Sequence, residues 1–470
     1  VVAIALWRGR FTSATAVLAW ALLWVVLLDP WATISPGFWL SFGAIAVIML
    51  VTVGRIGKMH WLSGWLRIQW AITLGLIPLL LALFQQVSLV SPIANAMAIP
   101  LVSLVVVPLT LLATMPWFDF MLPLAHDVLS AGMTLLHGLS HLPHAVWQQH
   151  APPLWTIPVA VIGIIWMLLP GSLGVGFFAG FPARWLGVVA LLPMFLVQPS
   201  KPETGELWLT VLDVGQGLAV VARTQHHALL FDTGPNFGET DSGSRIIAPF
   251  LRGEGIRQLD AMIVSHADSD HSGGALSVLE AMPVMRLMSS LDSHHPIQRA
   301  VMHTDQCLAG QSWQWDDVHF EWLHPRAQEY ADPQRKTNAS SCVLKITSAH
   351  GSVLLPADIE GKDEQALLAR VSDKLPATVL IAPHHGSNTS STAAFVQKVN
   401  PALTVFTVGY HNRYDHPRAA VVARYRDAGS ALLRSDEDGA ILLRFANNGW
   451  SVDSWRKLHR RYWQHNIAER

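Results

Sequence analysis

Along the first two hundred residues, hydrophobic positions come in long blocks, at roughly 12–28, 37–53, 67–84, 93–115, 154–169 and 173–198. Most approach the ~20 apolar residues that carry a helix across a bilayer. Between 118 and 145 the pattern changes. His126, Asp127, Ser130, Thr134, His137 and His141 recur at three- and four-residue steps, which predicts an amphipathic helix with one polar stripe. Such a helix either lies along the membrane surface or lines a hydrated path. If it spans, and if Arg184 splits 173–198 into a turn and a short last span, the count is seven. After Glu206 the apolar blocks become short and rich in Val, Leu and Ile: "LWLTVLDV", "LAVVART", "HALLFDT", "AMIVSH", "SCVLKITS", "SVLLPAD", "ATVLIAPHH", "ALTVFTVG" and "AILLRFA". Helical patterns at 243–252, 272–282, 361–371, 391–399 and 418–428 separate several of them. Strands that begin as hairpins and then alternate with helices predict two sheets flanked by helices. The expected organisation is a polytopic α-helical membrane domain at 1–200, an α/β domain at 201–450 and a short basic tail at 451–470, where "WRKLHRRYW" lies.

Charge sharpens this division. Six lysines or arginines and three acids fall in residues 1–200, leaving 26 basic and 30 acidic residues for the rest, although the whole chain carries a net charge of only −1. The first half is thus suited to lipid, and no broad basic surface announces nucleic acid. Arg8 and Arg10, together with Arg55, Lys58 and Arg67, mark one side of the membrane as cytoplasmic, so seven spans put the polar half on the outer face. Cys307 and Cys342 both lie in that half; two thiols carry no framework signal, and pairing in an oxidising compartment stays open. The Val1-Val2 start inside an apolar sequence reads as the trailing part of a longer protein.

The chemistry sits where strands end. "MIVSHADSDHSGG" brings His266, Asp268, Asp270 and His271 together after an apolar run, and Gly273-Gly274 allows the next helix to approach closely. "FDTG" ends in Asp232, "LLPAD" in Asp358, "IAPHHGS" in His384 and His385, and "YDHP" offers His416. One His or Asp at a strand end is usually a turn residue or a cap. A recurring set is different, because crowded imidazoles and carboxylates lose solvation that a bound cation restores. Strand alternation allows only one of His384 and His385 to face the site, and sequence does not choose between them.

These residues resemble the metallo-β-lactamase superfamily, whose signature is His-x-His-x-Asp-His after a strand. Here Asp268 replaces the second His, as in the ComEC-like branch. "LDVGQG", "FDTG", "HADSDHSGG", "NASSCVLKI", "PADIEG", "APHHGSNTS" and "NRYDHP" follow that branch in order across 206–446. In the membrane half, "DPWATISPGFWLSFGAIAVIML" and "SPIANAMAIPLVSLVVVPLTLL", with Asn95 starting a helix interrupted by Pro100 and Pro108, resemble the ComEC family of competence DNA-uptake channels.

The resemblance implies an αββα sandwich with two divalent metal ions, Mn2+ or Zn2+. Their ligands would be His266, Asp268, Asp270, His271, a bridging Asp358, His384 or His385, and His416. An oxygen-rich set moves the expected metal towards manganese. Asp270 would also orient the attacking water, and Asp213 with Gln216 would shape the substrate end, unless Asp213 is simply a turn aspartate. Ser387, Asn388, Ser390 and Arg413 would hold phosphate oxygens. The implied partners are DNA, the lipid bilayer and other competence-machinery proteins, in an inner membrane with the metal domain on the periplasmic face. The implied role is a DNA-uptake channel with a metal-dependent nuclease that degrades one strand while the other passes. Leu218 stands where the branch carries an acid, which motivates a second expectation, a transport protein with a vestigial metal domain. A membrane-tethered metallohydrolase of another substrate is the third. Two further departures are Ala357 before Asp358, and Asp415 before His416-Pro417.

Overall fold

The structure, a computed structural model, describes residues 13–52, 60–169, 183–331 and 335–460. Arg8, Arg10, Arg55, Lys58, the first part of 173–198 and the last ten residues lie outside them. The chain forms two compact units, one made of Val1–Pro199 and Arg252–Gly255 and one of Ser200–Leu251 and Ile256–Arg470.

The first unit is helical: α1 (Ala14–Leu28), α2 (Pro36–Thr52), α3 (Trp61–Phe84), α4 (Ser91–Leu112), α5 (Met121–Ser140), α6 (Thr156–Leu168) and α7 (Leu186–Leu196). Only α3, with 24 residues, and α4, with 22, are both long and apolar enough to cross a membrane among the described residues. The other expected spans are shorter apolar helices of 10–17 residues, apart from α5. Helix α4 carries a π-turn at Val102–Val106 between Pro100 and Pro108, a local irregularity of the kind that accompanies proline in helices. Helix α5 keeps its polar stripe: His126 and Ser130 lie 3.4 Å apart, and His137 and His141 3.0 Å apart. Helices α6 and α7 meet through Gly163, where an added Cβ would stand 2.7 Å from the Gly187 carbonyl oxygen. Small residues of this kind let apolar helices approach to backbone contact. A feature absent from the hydropathy pattern is a two-stranded sheet of β1 (Gln86–Ser88) and β2 (Val146–Gln148).

The second unit is a sandwich of two sheets. One has eight strands in the order β17-β16-β3-β4-β5-β6-β7-β8: β3 (Leu207–Val211), β4 (Val220–Arg223), β5 (Ala228–Phe231), β6 (Ala261–Val264), β7 (Leu287–Ser289), β8 (Thr304–Gln306), β16 (Ile441–Ala446) and β17 (Gly449–Ser454). The other has seven in the order β15-β14-β13-β12-β11-β10-β9: β9 (Ser312–Trp315), β10 (Val318–His324), β11 (Val343–Ser348), β12 (Gly351–Leu355), β13 (Val379–Ile381), β14 (Leu403–Phe406) and β15 (Ala431–Arg434). Leu209, Phe231 and Ile263 of the first sheet pack against Phe320, Leu344 and Val405 of the second in one buried core. The outer face of the first sheet is covered by Ile247, Leu251 and Val278. The second is covered by Leu367, Phe395 and Val421, which belong to helices at Gly361–Val371, Ala393–Val399 and Ala419–Asp427. Buried on both faces, the strands read as continuous apolar runs rather than alternating ones. The disulfide Cys307–Cys342 joins the two sheets, from the end of β8 to the start of β11.

Two features differ from the expectation. Strands β7 to β10, β15 and β17 were not among the apolar runs of the sequence. The β9–β10 hairpin alternates Trp313 and Trp315 with Ser312, Gln314 and polar turn residues, so it lacks the β-branched run that marks the other strands. Strand β17 also runs through residue 450, so the last described residues begin as sheet and not as tail.

Candidate metal centre

Strands β5 and β6 are parallel neighbours in one sheet, and β12, β13 and β14 are parallel neighbours in the other. Parallel strands end on the same edge, and the crevice beyond their carboxyl ends is where such sheets gather ligands. The turn after each of these strands contributes a polar side chain to one place. Strand β6 leads to Ser265 and His266, then through Asp268 into the short helix Ser269–Ser272 that carries Asp270 and His271. Strand β12 leads to Asp358, β13 to His384 and His385, and β14 to Thr407. Gly274 lets this loop close on itself, since a Cβ there would meet the Gly243 nitrogen and the Thr233 carbonyl oxygen, both at 2.5 Å.

Ligand atoms of Asp270, His271, Asp358 and His385 all lie within 4.8 Å of one another. His271 Nε2 is 3.1 Å from Asp358 Oδ1 and 3.2 Å from His385 Nε2. His385 Nε2 is 3.4 Å from Asp270 Oδ2 and 3.6 Å from Asp358 Oδ1. Two more imidazoles stand beside this group. His384 Nε2 is 3.7 Å from Asp358 Oδ2, and His266 Nε2 is 3.7 Å from Asp268 Oδ2. His266 Nε2 is also buried without a hydrogen-bond partner.

The opposite nitrogens are held from behind. His271 Nδ1–H donates to Asp232 at 2.7 Å, and that buried carboxylate also accepts from the Ser265 amide and hydroxyl, each at 2.7 Å. His385 Nδ1 meets the Thr407 hydroxyl at 3.0 Å, and His266 Nδ1 the Ser265 hydroxyl at 3.0 Å. Fixing Nδ1 as the protonated nitrogen leaves the Nε2 lone pair free for a cation. Convergent Nε2 atoms, two carboxylates and an orphaned buried imidazole nitrogen therefore fit a divalent metal.

Electrostatics in the metal-free chain say the same. Burial alone would raise the Asp270 carboxyl, but the hydrogen bond from His385 and the charge of His271 outweigh it and hold it at about 2. Burial opposes charge on His271 too, yet Asp358 and Asp232 raise it well above the usual imidazole range. Asp358, despite burial, is held well below the carboxylate range by His271 and His385. The neighbouring His266 imidazole, 3.7 Å away, lowers Asp268. A proton on His271 takes the place of a cation among these carboxylates.

The two adjacent histidines depart from the strand argument. Both face Asp358, because β13 stops at Ile381 and His384 and His385 sit in the left-handed region, at φ 50° and 55°. Alternation does not apply in such a turn. Two non-glycine residues in that region cost of order 1–3 kcal/mol each and tend to mark functional sites.

The remaining candidates lie around the cluster. His416 has a buried Nδ1 with no hydrogen-bond partner, and its ring centroid is 6.0 Å from that of His384. Burial and the neighbouring His385 and His384 lower it to about 4, so it is neutral near pH 7. Asp213 is outside the donor group, 3.6 Å from the Arg456 guanidinium. Gln216 Oε1 accepts from the Gly409 amide at 3.3 Å. The Ser390 hydroxyl donates to the carbonyls of Pro383 and Ser387, and that of Ser387 accepts from the Thr389 amide, so both serve the turn itself. Asn388 and Arg413 are exposed. Leu218 packs in the core between the sheets and is buried, and its amide donates to the Asp270 carbonyl at 3.1 Å. Ser265, Ser341 and Thr407 were not singled out in the sequence. The only signal for them is a hydroxyl at or beside a strand end next to a histidine-bearing turn.

Comparison with known proteins agrees with both halves. Residues 1–173 match the family model described as Competence protein, and residues 212–409 the Metallo-beta-lactamase superfamily. Competence protein ComA of Neisseria gonorrhoeae is 34% identical over 97% of this chain and 62% of its own length. ComE operon protein 3 of Bacillus subtilis is 28% identical over 94% of the chain and 59% of its own length. The chain thus spans about three fifths of the curated relatives it matches. Solved structures are remote: the diiron beta-hydroxylase CmlA of Streptomyces venezuelae is 14% identical with a TM-score of 0.33, covering 59% of this chain and 60% of its own. With a competence domain followed by a metallo-beta-lactamase domain, the chain belongs to the ComEC family of competence proteins.

Proposed function

We propose that the protein is a multi-pass channel for DNA uptake in the inner membrane, and that its metal domain is a nuclease degrading one strand while the other is translocated. The observation that carries this reading is the buried donor group around Asp358, carried on the same chain as a competence domain. Two ions, Mn2+ or Zn2+, are assigned to it. Asp270, His271 and His385 would hold one, and His266, Asp268 and His384 the other. Asp358 would serve both groups, since its Oδ1 faces His271 and His385 and its Oδ2 faces His384. His416 is assigned as a further ligand on its unpartnered Nδ1. When bound, such ions polarise a phosphoryl oxygen and lower the pKa of water.

The chain's own residues do the rest. Asp270, held ionised, accepts the hydrogen bond that orients an attacking water. Asn388 and Arg413 meet phosphate oxygens from the rim, with Ser387 and Ser390 shaping the turn that presents them. Asp213 and Gln216 border the substrate end. Asp232, Ser265 and Thr407 keep three imidazoles in the tautomer the ions require.

The metal domain is placed on the periplasmic face, following the seven-span reading. The disulfide between Cys307 and Cys342 supports this, because such bonds persist in oxidising compartments. The lipid bilayer, DNA and other competence-machinery proteins are the partners assigned. Leu218 packs between the sheets while its amide donates to the Asp270 carbonyl at 3.1 Å, so a vestigial metal domain remains the second reading, decided by whether the metal-loaded chain cuts DNA.

The full chain in detergent, loaded with Mn2+ or Zn2+, is expected to cut labelled single-stranded DNA. His271→Ala and Asp358→Ala should abolish cutting and lower the metal content measured by atomic emission. A wild-type chain that holds metal tightly but cleaves no nucleic acid would overturn the nuclease reading, and hydrolysis of another substrate would then define the enzyme.

A further inference from the structure

The loop from Gly409 to Pro417 is built to present aromatic rings, and nothing so far accounts for them. Tyr410 is 77% exposed and Tyr414 43%; among the described residues, the domain's other exposed aromatic rings, Phe237, Trp450 and Trp455, lie on other segments. The loop is nevertheless tied down. Asn412 Nδ2 donates to the carbonyls of Gly409, at 3.1 Å, and His416, at 2.7 Å. Its Oδ1 accepts from the amides of Tyr414, at 3.2 Å, and His416, at 3.0 Å. The Gln216 side chain accepts from Gly409 at the loop's start. These rings are therefore fixed in solvent by a hydrogen-bonded frame.

The frame connects them to the metal centre. Tyr414 stacks on His416 with centroids 5.7 Å apart and planes 24° apart, and His416 lies 6.0 Å from His384, which faces Asp358. This file of rings leads from the donor group to the surface. Beside its outer end, the Arg413 guanidinium lies 4.9 Å from the Tyr414 ring centroid and donates to its hydroxyl at 2.6 Å. Tyr410 packs on His411 with centroids 4.1 Å apart.

We infer that Tyr410 and Tyr414 form a platform on which bases of a single-stranded nucleic acid stack, with Arg413 taking the adjacent phosphate, so that the strand is presented to the metal centre. Resting on the nuclease reading, this narrows the substrate to an unpaired strand. Every base has a π-face, so stacking on tyrosine is indifferent to sequence, and a nearby cation meets the backbone charge. In a duplex the base faces are already stacked on one another and are closed to the platform. Recognition of this kind also needs no broad basic surface, in keeping with an acidic domain.

The test is binding of a fluorescent oligothymidylate to the full chain in detergent with EDTA present, compared with an abasic oligonucleotide of equal length. Tyr410→Ala and Tyr414→Ala should each raise Kd for oligothymidylate about tenfold or more. Wild type should bind the abasic strand about as weakly as the double variant binds oligothymidylate. With metal restored, KM for the strand should rise more than kcat falls. Unchanged Kd in the double variant, or equal binding of both strands by wild type, would overturn the platform even if the enzyme cuts DNA. Failure of wild type to cut any nucleic acid in metal, with these binding results intact, would overturn the nuclease reading alone.

Discussion

His271 is the residue on which the centre turns, because one imidazole faces Asp232 on one side and Asp358 on the other. Asp232→Asn should leave the fold intact and weaken metal binding about 10- to 100-fold, as loss of a carboxylate behind a histidine ligand does; calorimetric titration with Zn2+ measures it. The pH dependence follows from the same geometry. In the metal-free chain the folded pKa of His271 is raised by Asp358 and Asp232 against the opposing effect of burial. Its proton then stabilises the fold fully below about pH 6.5, and this contribution is lost as pH rises through the folded value. Asp270, at about 2, has the opposite sign: its contribution is present above about pH 4 and is lost as pH falls towards 2. With EDTA present, the melting temperature of wild type should exceed that of His271→Asn most near pH 5–6. The gap should close in alkali, and a gap that widened there would contradict the assignment. Leu218 makes a separate point. Leu218→Ala should cost about 2–5 kcal/mol of stability by opening a cavity between the sheets, with metal content unchanged.

At the scale of elements, the centre depends on strands from both sheets arriving at one edge, and the disulfide ties those sheets close to it. Cys342 follows Ser341, whose hydroxyl accepts from the Asp358 amide at 3.2 Å and lies 3.4 Å from His266 Nδ1. The Cys342 amide itself donates to the Ser265 carbonyl at 3.0 Å. A bond closing a separation of 35 residues is worth typically 2–4 kcal/mol. The Cys307→Ser, Cys342→Ser chain should therefore melt lower and also release metal to a chelator faster than wild type. Chelator-release kinetics followed by a metal-sensitive dye would show it, and an unchanged release rate would mean that the staple acts on the fold alone. Elements were legible where their periodicity was clear over several residues. The helix expected at 361–371 is found at Gly361–Val371, whereas the β9–β10 hairpin, alternating indole with polar side chains, gave no strand signal.

At the scale of the whole molecule, a chain near neutrality divides into an apolar half and a slightly acidic half. Removal of metal should lower the thermal stability of the second half, and its return should restore it, by about 4 kcal/mol when free metal is a thousandfold above Kd. Differential scanning fluorimetry with and without EDTA tests this, and a melting temperature indifferent to metal would argue against ions held by folded-state ligands. The apolar half was legible in its helices and less so in their lengths. Hydropathy marks apolar blocks, but turns such as the one before β1 are set by backbone pairing with β2.

The candidate metal-ligand residues were named from sequence because metal chemistry restricts ligands to a few side chains, and because six residues of "HADSDH" hold four of them. Their convergence with Asp358 and the two later histidines could not be read from spacing, since it follows from parallel strands of two sheets ending at one edge. The choice between His384 and His385 dissolved for a local reason, two left-handed residues that turn both rings towards one carboxylate. Asp232 was a strand-end candidate in the sequence, but its place behind His271, like the roles of Ser265 and Thr407, became legible only in three dimensions. A side chain that holds the far nitrogen of a histidine is chosen by where strands end relative to one another, and no local pattern in the chain carries that distance.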